Sequence, residues 1–254
     1  MLDLEKIVTA AVFTGARVAG LLTFAPFLGS VVIPMRVKAG LVVLVTYLIY
    51  PLCAPHVPEW TASNWLQIAV TELFTGLLIG LVVSFVFEAA QLAGQIVGIQ
   101  VGFSLVNVMD PQTQVDTPVV STFFQLLVIL IFLQLNVHHW LLRGVINSFS
   151  YLPTGQILPT GPLTQALMNA AGAIFVSAVQ IAAPVLFVSL VIDVALGFIG
   201  KASPQLPVLF MGLSVKTLLG FAIMIATLSL WPGRFERYFA QSISTAEHLL
   251  HLPR

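Results

Sequence analysis

Arg17, Glu72, Glu88, Asp193 and Lys216 all stand inside, or at the edge of, long apolar runs. A charged side chain at the centre of a membrane helix costs about 2.5–3.5 kcal/mol on insertion scales, so such residues mark pairing, ion paths or proton chemistry. An intramembrane aspartyl protease needs two embedded aspartates sharing a proton. Only Asp193 qualifies. A zinc protease needs histidines one helical turn apart with a carboxylate beside them. His138 and His139 are adjacent, which turns them about 100° apart on a helix. They read instead as interfacial residues beside Trp140. No Gly-x-Ser-x-Gly elbow is present. Gly94-x-x-x-Gly98 lacks the lysine and the preceding strand of a phosphate loop. No catalytic machinery and no cofactor follow from these patterns.

The residues that remain are suited to packing. Gly94, Gly98 and Gly102 recur every fourth residue in the stretch 91–102, so on a helix they clear one face for close contact. Gln91, Gln95 and Gln100 accompany them, and their amides are expected to hydrogen-bond sideways. Glu72, Gly76, Gly80 and Ser84 share the same spacing. That row predicts a close crossing that buries Glu72 against a partner's donor. Met35, Met211 and Met224 read as core filling, whereas Met109 lies in a loop where a flexible apolar side chain can seal a pore.

The elements that carry these residues follow from composition. Of 254 residues, 58% are hydrophobic and 8% charged, and the mean hydropathy is +1.01. A soluble domain carries roughly a quarter charged residues, so the chain belongs in a membrane. A formal net charge of zero gives no reason to expect a nucleic-acid partner. The single cysteine, Cys53, excludes an internal disulfide. Asp3, Glu5 and Lys6 give no basic region of a signal peptide.

A span needs about 20 apolar residues. The candidates are Ile7–Ile33, Ala39–Cys53, Leu66–Phe87, Val119–Leu135, Ala170–Ile199 and Val208–Trp231. The expected fold is all-α, because helices satisfy their own backbone groups in lipid. The Gln/Gly helix and an Asp-Pro loop separate the third and fourth runs. A polar stretch from 136 to 164 separates the fourth and fifth, and a short amphipathic tail follows Pro232. If every run crosses, Lys6, Arg143, Arg234, Arg237 and Arg254 face Arg36, Lys38 and Lys201 across the bilayer. That bias is weak, so some apolar helices are expected to be buried against protein rather than lipid.

Three blocks resemble the FliR family, the flagellar type III export-gate subunit, and more loosely the SctT family of virulence injectisomes. They are Arg17-Val-Ala-Gly, Pro26 and Ile33-Pro-Met-Arg-Val-Lys38; then Ala93-Gly-Gln, Gln100-Val-Gly-Phe103 and Asp110-Pro111; then Asp193-Val-Ala-Leu-Gly197, Ser203-Pro-Gln205 and Gly212. The resemblance covers nearly the whole chain in order. It implies a non-enzymatic gate subunit of the bacterial inner membrane and flagellar basal body, assembled with FliP and FliQ, engaging FlhB and an FlhA-containing apparatus. Unfolded flagellar proteins would thread its centre. It further implies a FliP-like part over about 1–172, a FliQ-like hairpin over about 173–231 and a tail over 232–254. A loop over 103–117 would plug the channel, with Phe103, Leu105, Val106, Val108 and Met109 as apolar bulk and Asp110-Pro111 turning the chain. Arg17, Glu72, Asp193 and Lys216 are expected in buried polar contacts. A secondary transporter is the rival reading, because polar groups in broken apolar helices also line ion paths; no clear repeat between the halves supports it.

Overall fold

The computed structural model describes residues 4–25, 33–53, 64–103, 119–156, 160–203, 205 and 208–251. Among them the chain is helical, without strands, as the apolar patterning requires. The helices are α1 (Leu4–Phe24), α2 (Met35–Cys53), α3 (Trp65–Val101), α4 (Val119–Gln134), α5 (Val137–Tyr151), α6 (Thr160–Ala202), α7 (Val208–Thr227) and α8 (Trp231–Leu250). A 3₁₀ turn, Leu228–Leu230, joins the last two.

Several boundaries differ from the sequence expectation. The third apolar run and the Gln/Gly helix are one 37-residue helix, α3. Ala89, Ala90 and Ala93 are strong helix formers that bridge them. The polar stretch after Asn136 contains α5, because Val137, Leu141, Val145, Ser148 and Phe149 form one buried stripe at helical spacing. The tail is a full 20-residue helix, α8. Helix α6 begins at Thr160 and tolerates Pro162 in its first turn. Asn136, at φ 54°, takes the left-handed conformation that a short polar side chain permits, and it separates α4 from α5.

Among the described residues, five helical stretches are long and apolar enough to cross a membrane, or six if α4 and α5 count as one broken span. At 1.5 Å per residue the 37 residues of α3 and the 43 of α6 reach about 55 and 65 Å. A hydrocarbon core is about 30 Å thick. Each helix is therefore longer than an upright span requires.

The chain packs into two compact units. One comprises Met1–Val86, Phe132–Ala171 and Arg237–Arg254; the other comprises Phe87–Ile131 and Gly172–Glu236. Helices α3, α4, α6 and α8 each run from one unit into the other. The first unit buries Phe13, Val18, Leu21, Val83, Phe149 and Phe239. The second buries Ala93, Val97, Phe124, Val128, Ala178 and Phe235. Met224 fills a core position, but Met35 and Met211 are 81% and 53% exposed and do not. They belong to broad apolar faces on α2, α6 and α7 that include Leu48, Phe187, Phe198 and Leu218.

Candidate functional site

In the first unit, small residues let α1 and α3 touch backbone to backbone. A Cβ on Gly20 would lie 2.2 Å from the Leu73 carbonyl oxygen. One on Gly76 would lie 1.9 Å from that of Arg17, and one on Gly80 would lie 2.6 Å from that of Leu21. No side chain fits at any of the three positions. This approach sets Arg17 and Glu72, both fully buried, against each other.

The Arg17 guanidinium donates from Nε to Glu72 Oε2 at 2.6 Å, from Nη1 to Ser148 Oγ at 2.8 Å and from Nη2 to the Leu152 carbonyl at 3.1 Å. Glu72 Oε1 accepts the Gly155 backbone N–H at 3.0 Å. Gly155 has φ +84°, a conformation glycine adopts without strain. The Phe149 ring lies under the guanidinium, 3.8 Å from its carbon to the ring centroid. Ser148 also donates to the Val145 carbonyl at 2.6 Å. The planar fork of arginine thus ties α1, α3, α5 and the turn after α5 together. Ser148, Phe149 and Gly155 were not singled out from sequence. The first two lie on the apolar stripe of α5, which is the signal that finds them.

In the second unit the end of α3 is held by α7. The Thr217 hydroxyl donates to the Val101 carbonyl at 2.7 Å and shares its hydrogen with Leu213 O at 2.9 Å. One of the carbonyls that a helix end leaves without a partner is thereby satisfied. Gly102 follows at φ +93°, and a Cβ there would meet Leu213 Cδ1 at 2.0 Å. Phe103 then packs edge-to-face on Phe221, centroids 5.9 Å apart. Gly220 leaves room for Val101, whose methyl lies 2.7 Å from the position of a Cβ.

The expected glycine row resolves into three different roles. Gly94 is required by packing, its Cβ position lying 2.5 Å from Ser121 Cα. Gly98 is not, since a Cβ there makes ordinary contact with Val120 at 3.5 Å. Gly102 serves through its backbone angle beyond the helix end. Gln91, Gln95 and Gln100 are half-buried, and their amides make no hydrogen bond among the described residues.

Lys216 on α7 forms an ion pair with Asp193 on α6. The Asp193 side chain is 51% exposed and that of Lys216 19%, so within this chain the pair is only partly buried. Glu88 is exposed. The His138 and His139 rings stand 4.2 Å apart. Among the described residues no group of three His, Cys, Asp or Glu side chains is placed to hold a metal ion. Of the expected plug residues, Phe103 is placed; Leu105, Val106, Val108, Met109, Asp110 and Pro111 lie outside the described residues.

The family model described as bacterial export proteins, family 1, matches residues 8–242. The flagellar biosynthetic protein FliR of Escherichia coli strain K12 is 32% identical over 226 residues, covering 89% of this chain and 86% of that protein. The FliR of Bacillus subtilis strain 168 is 29% identical over 193 residues, 75% of this chain and 74% of that protein. The surface presentation of antigens protein SpaR of Salmonella typhimurium strain LT2 is 26% identical over 206 residues, 80% and 77% of the two chains.

Proposed function

The chain belongs to the bacterial export proteins, family 1, as a component of the flagellar export apparatus, and on that premise we propose that it is a gate subunit without catalysis. In this reading it sits as a multi-pass protein in the bacterial inner membrane, within the flagellar basal body. It completes a core complex with FliP and FliQ, engages FlhB and works beside FlhA. Residues 1–172 act as the FliP-like part, 173–231 as the FliQ-like hairpin and 232–254 as the tail. Unfolded flagellar proteins pass through the assembly.

The observation that carries the gating role is the fixed base of the 103–117 segment. Val101 is hydrogen-bonded to Thr217, Gly102 has the backbone angle that ends the helix, and Phe103 packs edge-to-face on Phe221. An apolar segment, Phe103-Ser-Leu-Val-Asn-Val-Met109, leaves from this base. A seal works only if its anchor holds still, and α7 supplies the anchor. Substrate engagement then displaces the segment while the base stays put.

The FliR proteins of Escherichia coli and Bacillus subtilis, at 32% and 29% identity, stand above SpaR at 26%, and this favours a flagellum over an injectisome. Removing residues 107–114 should leave the complex assembled and the membrane leaky to small solutes, measured as ion flux in cells expressing the complex. Unchanged ion flux and unchanged substrate selectivity would reject the seal.

A further inference from the structure

Helices α5 and α8 do not close on each other along their whole length within the first unit. An open groove of about 340 Å³ separates them. Each helix contributes one row at i, i+3, i+4 and i+7 spacing: Trp140, Arg143, Gly144 and Asn147 from α5, and Ala240, Ile243, Ser244 and Glu247 from α8. The two rows are chemically layered. Arg143, Asn147 and Ser244 are exposed at the rim, and Glu247 and Trp140 are half-buried. Below them a narrow apolar recess continues the groove between Ile79, Leu141, Ile243 and Leu250. Gly144 has nothing within 4 Å of where its Cβ would be, so its lack of a side chain leaves the groove open rather than relieving a clash.

Arg143 and Glu247 line the same groove, yet neither carries an ion pair among the described residues. One cation and one anion, unpaired across a cleft with an apolar floor, describe a receptor for a ligand that carries both charges and a greasy tail. We infer that this groove binds the headgroup of a zwitterionic phospholipid of the phosphatidylethanolamine type. The Arg143 guanidinium takes the phosphodiester, whose oxygens match its planar fork. The Glu247 carboxylate takes the ammonium. Asn147 and Ser244 supply donors for the remaining phosphate and ester oxygens. The first carbons of an acyl chain lie in the recess over Leu141 and Ile243. Trp140 occupies the wet–apolar boundary, where an indole is at home. An anionic lipid uses Arg143 but leaves Glu247 facing a like charge or a neutral glycerol. The site therefore discriminates by headgroup.

The test uses the full chain in its purified assembly, stripped of lipid and titrated with defined lipids under native mass spectrometry. Phosphatidylethanolamine should bind in preference to phosphatidylglycerol, and water-soluble glycerophosphoethanolamine far more weakly than either. Arg143→Ala should weaken both lipids about tenfold, as loss of a charge-assisted hydrogen bond does. Glu247→Gln should abolish the preference while keeping phosphatidylglycerol binding. Gly144→Leu, which fills the groove without a backbone clash, should remove binding with both charges in place. The inference is overturned if the two charge variants bind like the parent assembly, or if the lipids are not distinguished. It is equally overturned if glycerophosphoethanolamine binds as well as the lipid, or if cross-linkers at Ser244 capture a protein partner and never a lipid.

Discussion

Replacing Glu72 by alanine removes the counter-charge of a guanidinium that has no exposure to water. Arg17 keeps its bonds to Ser148 and the Leu152 carbonyl but faces a void where a carboxylate sat 2.6 Å away. The Gly155 N–H loses its acceptor at the same time. Breaking a buried pair from one side costs about 3–5 kcal/mol, most of it the stranded charge. The double variant Arg17→Met, Glu72→Met removes the charge and fills the volume. Ser148 still has the Val145 carbonyl, so only the Leu152 carbonyl and the Gly155 N–H lose partners. Each orphan costs about 1–3 kcal/mol if it stays dry. The Gly155 orphan is common to both variants, so the stranded charge (about 3–5 kcal/mol) is set against the Leu152 carbonyl (about 1–3 kcal/mol); the double variant should recover about 2 kcal/mol relative to Glu72→Ala, and the effects of the two positions should be strongly non-additive. Thermal unfolding of the purified assembly in mild detergent, read beside the yield of intact complex, measures both variants. A loss below about 1 kcal/mol in Glu72→Ala, or simple additivity, would show that the pair does not tie α1 to α3 and α5.

Gly76→Ala puts a methyl group 1.9 Å from a backbone carbonyl, whereas Gly40→Ala meets nothing within 4 Å; the first should sharply reduce recovered complex and the second leave it unchanged, both read by quantitative immunoblot of membranes. Neutralising Asp193 or Lys216 strands the other charge on an apolar helix; co-purification should fall more than membrane insertion does, and the exchanged pair Asp193→Lys, Lys216→Asp should restore it. Thr217→Val removes the hydroxyl that bonds Val101 and costs about 1 kcal/mol; ion leak through the assembled complex should rise with little loss of assembly.

The helical class and the membrane-length apolar runs were legible because they follow from residue type and spacing alone. Gly76 and Gly80 could be read as a close crossing, since only small residues let backbones meet. That Arg17 is the donor for Glu72 was not legible, because 55 residues separate them and five charged positions offered many pairings. Helix α5 was hidden by its polar outer face, which made an amphipathic helix look like a loop between spans. Met35 and Met211 were misread because apolar residues point inward only when the chain is the whole object. In a chain with membrane-length apolar helices, an exposed apolar face can meet lipid or neighbouring protein as well as water. The division into 1–172, 173–231 and 232–254 concerns relatedness to other subunits, which the packing of one chain does not address.

The account rests on those uncovered faces of α6 and α7 meeting protein. Photo-activated cross-linking in living cells, from a reactive residue placed at Phe187, Phe198 or Leu218 (68%, 73% and 71% exposed), addresses this directly. Discrete adducts with other export-gate chains are expected at all three positions. Adducts with lipid alone at every position would contradict the reading of this chain as one wall of a shared conduit.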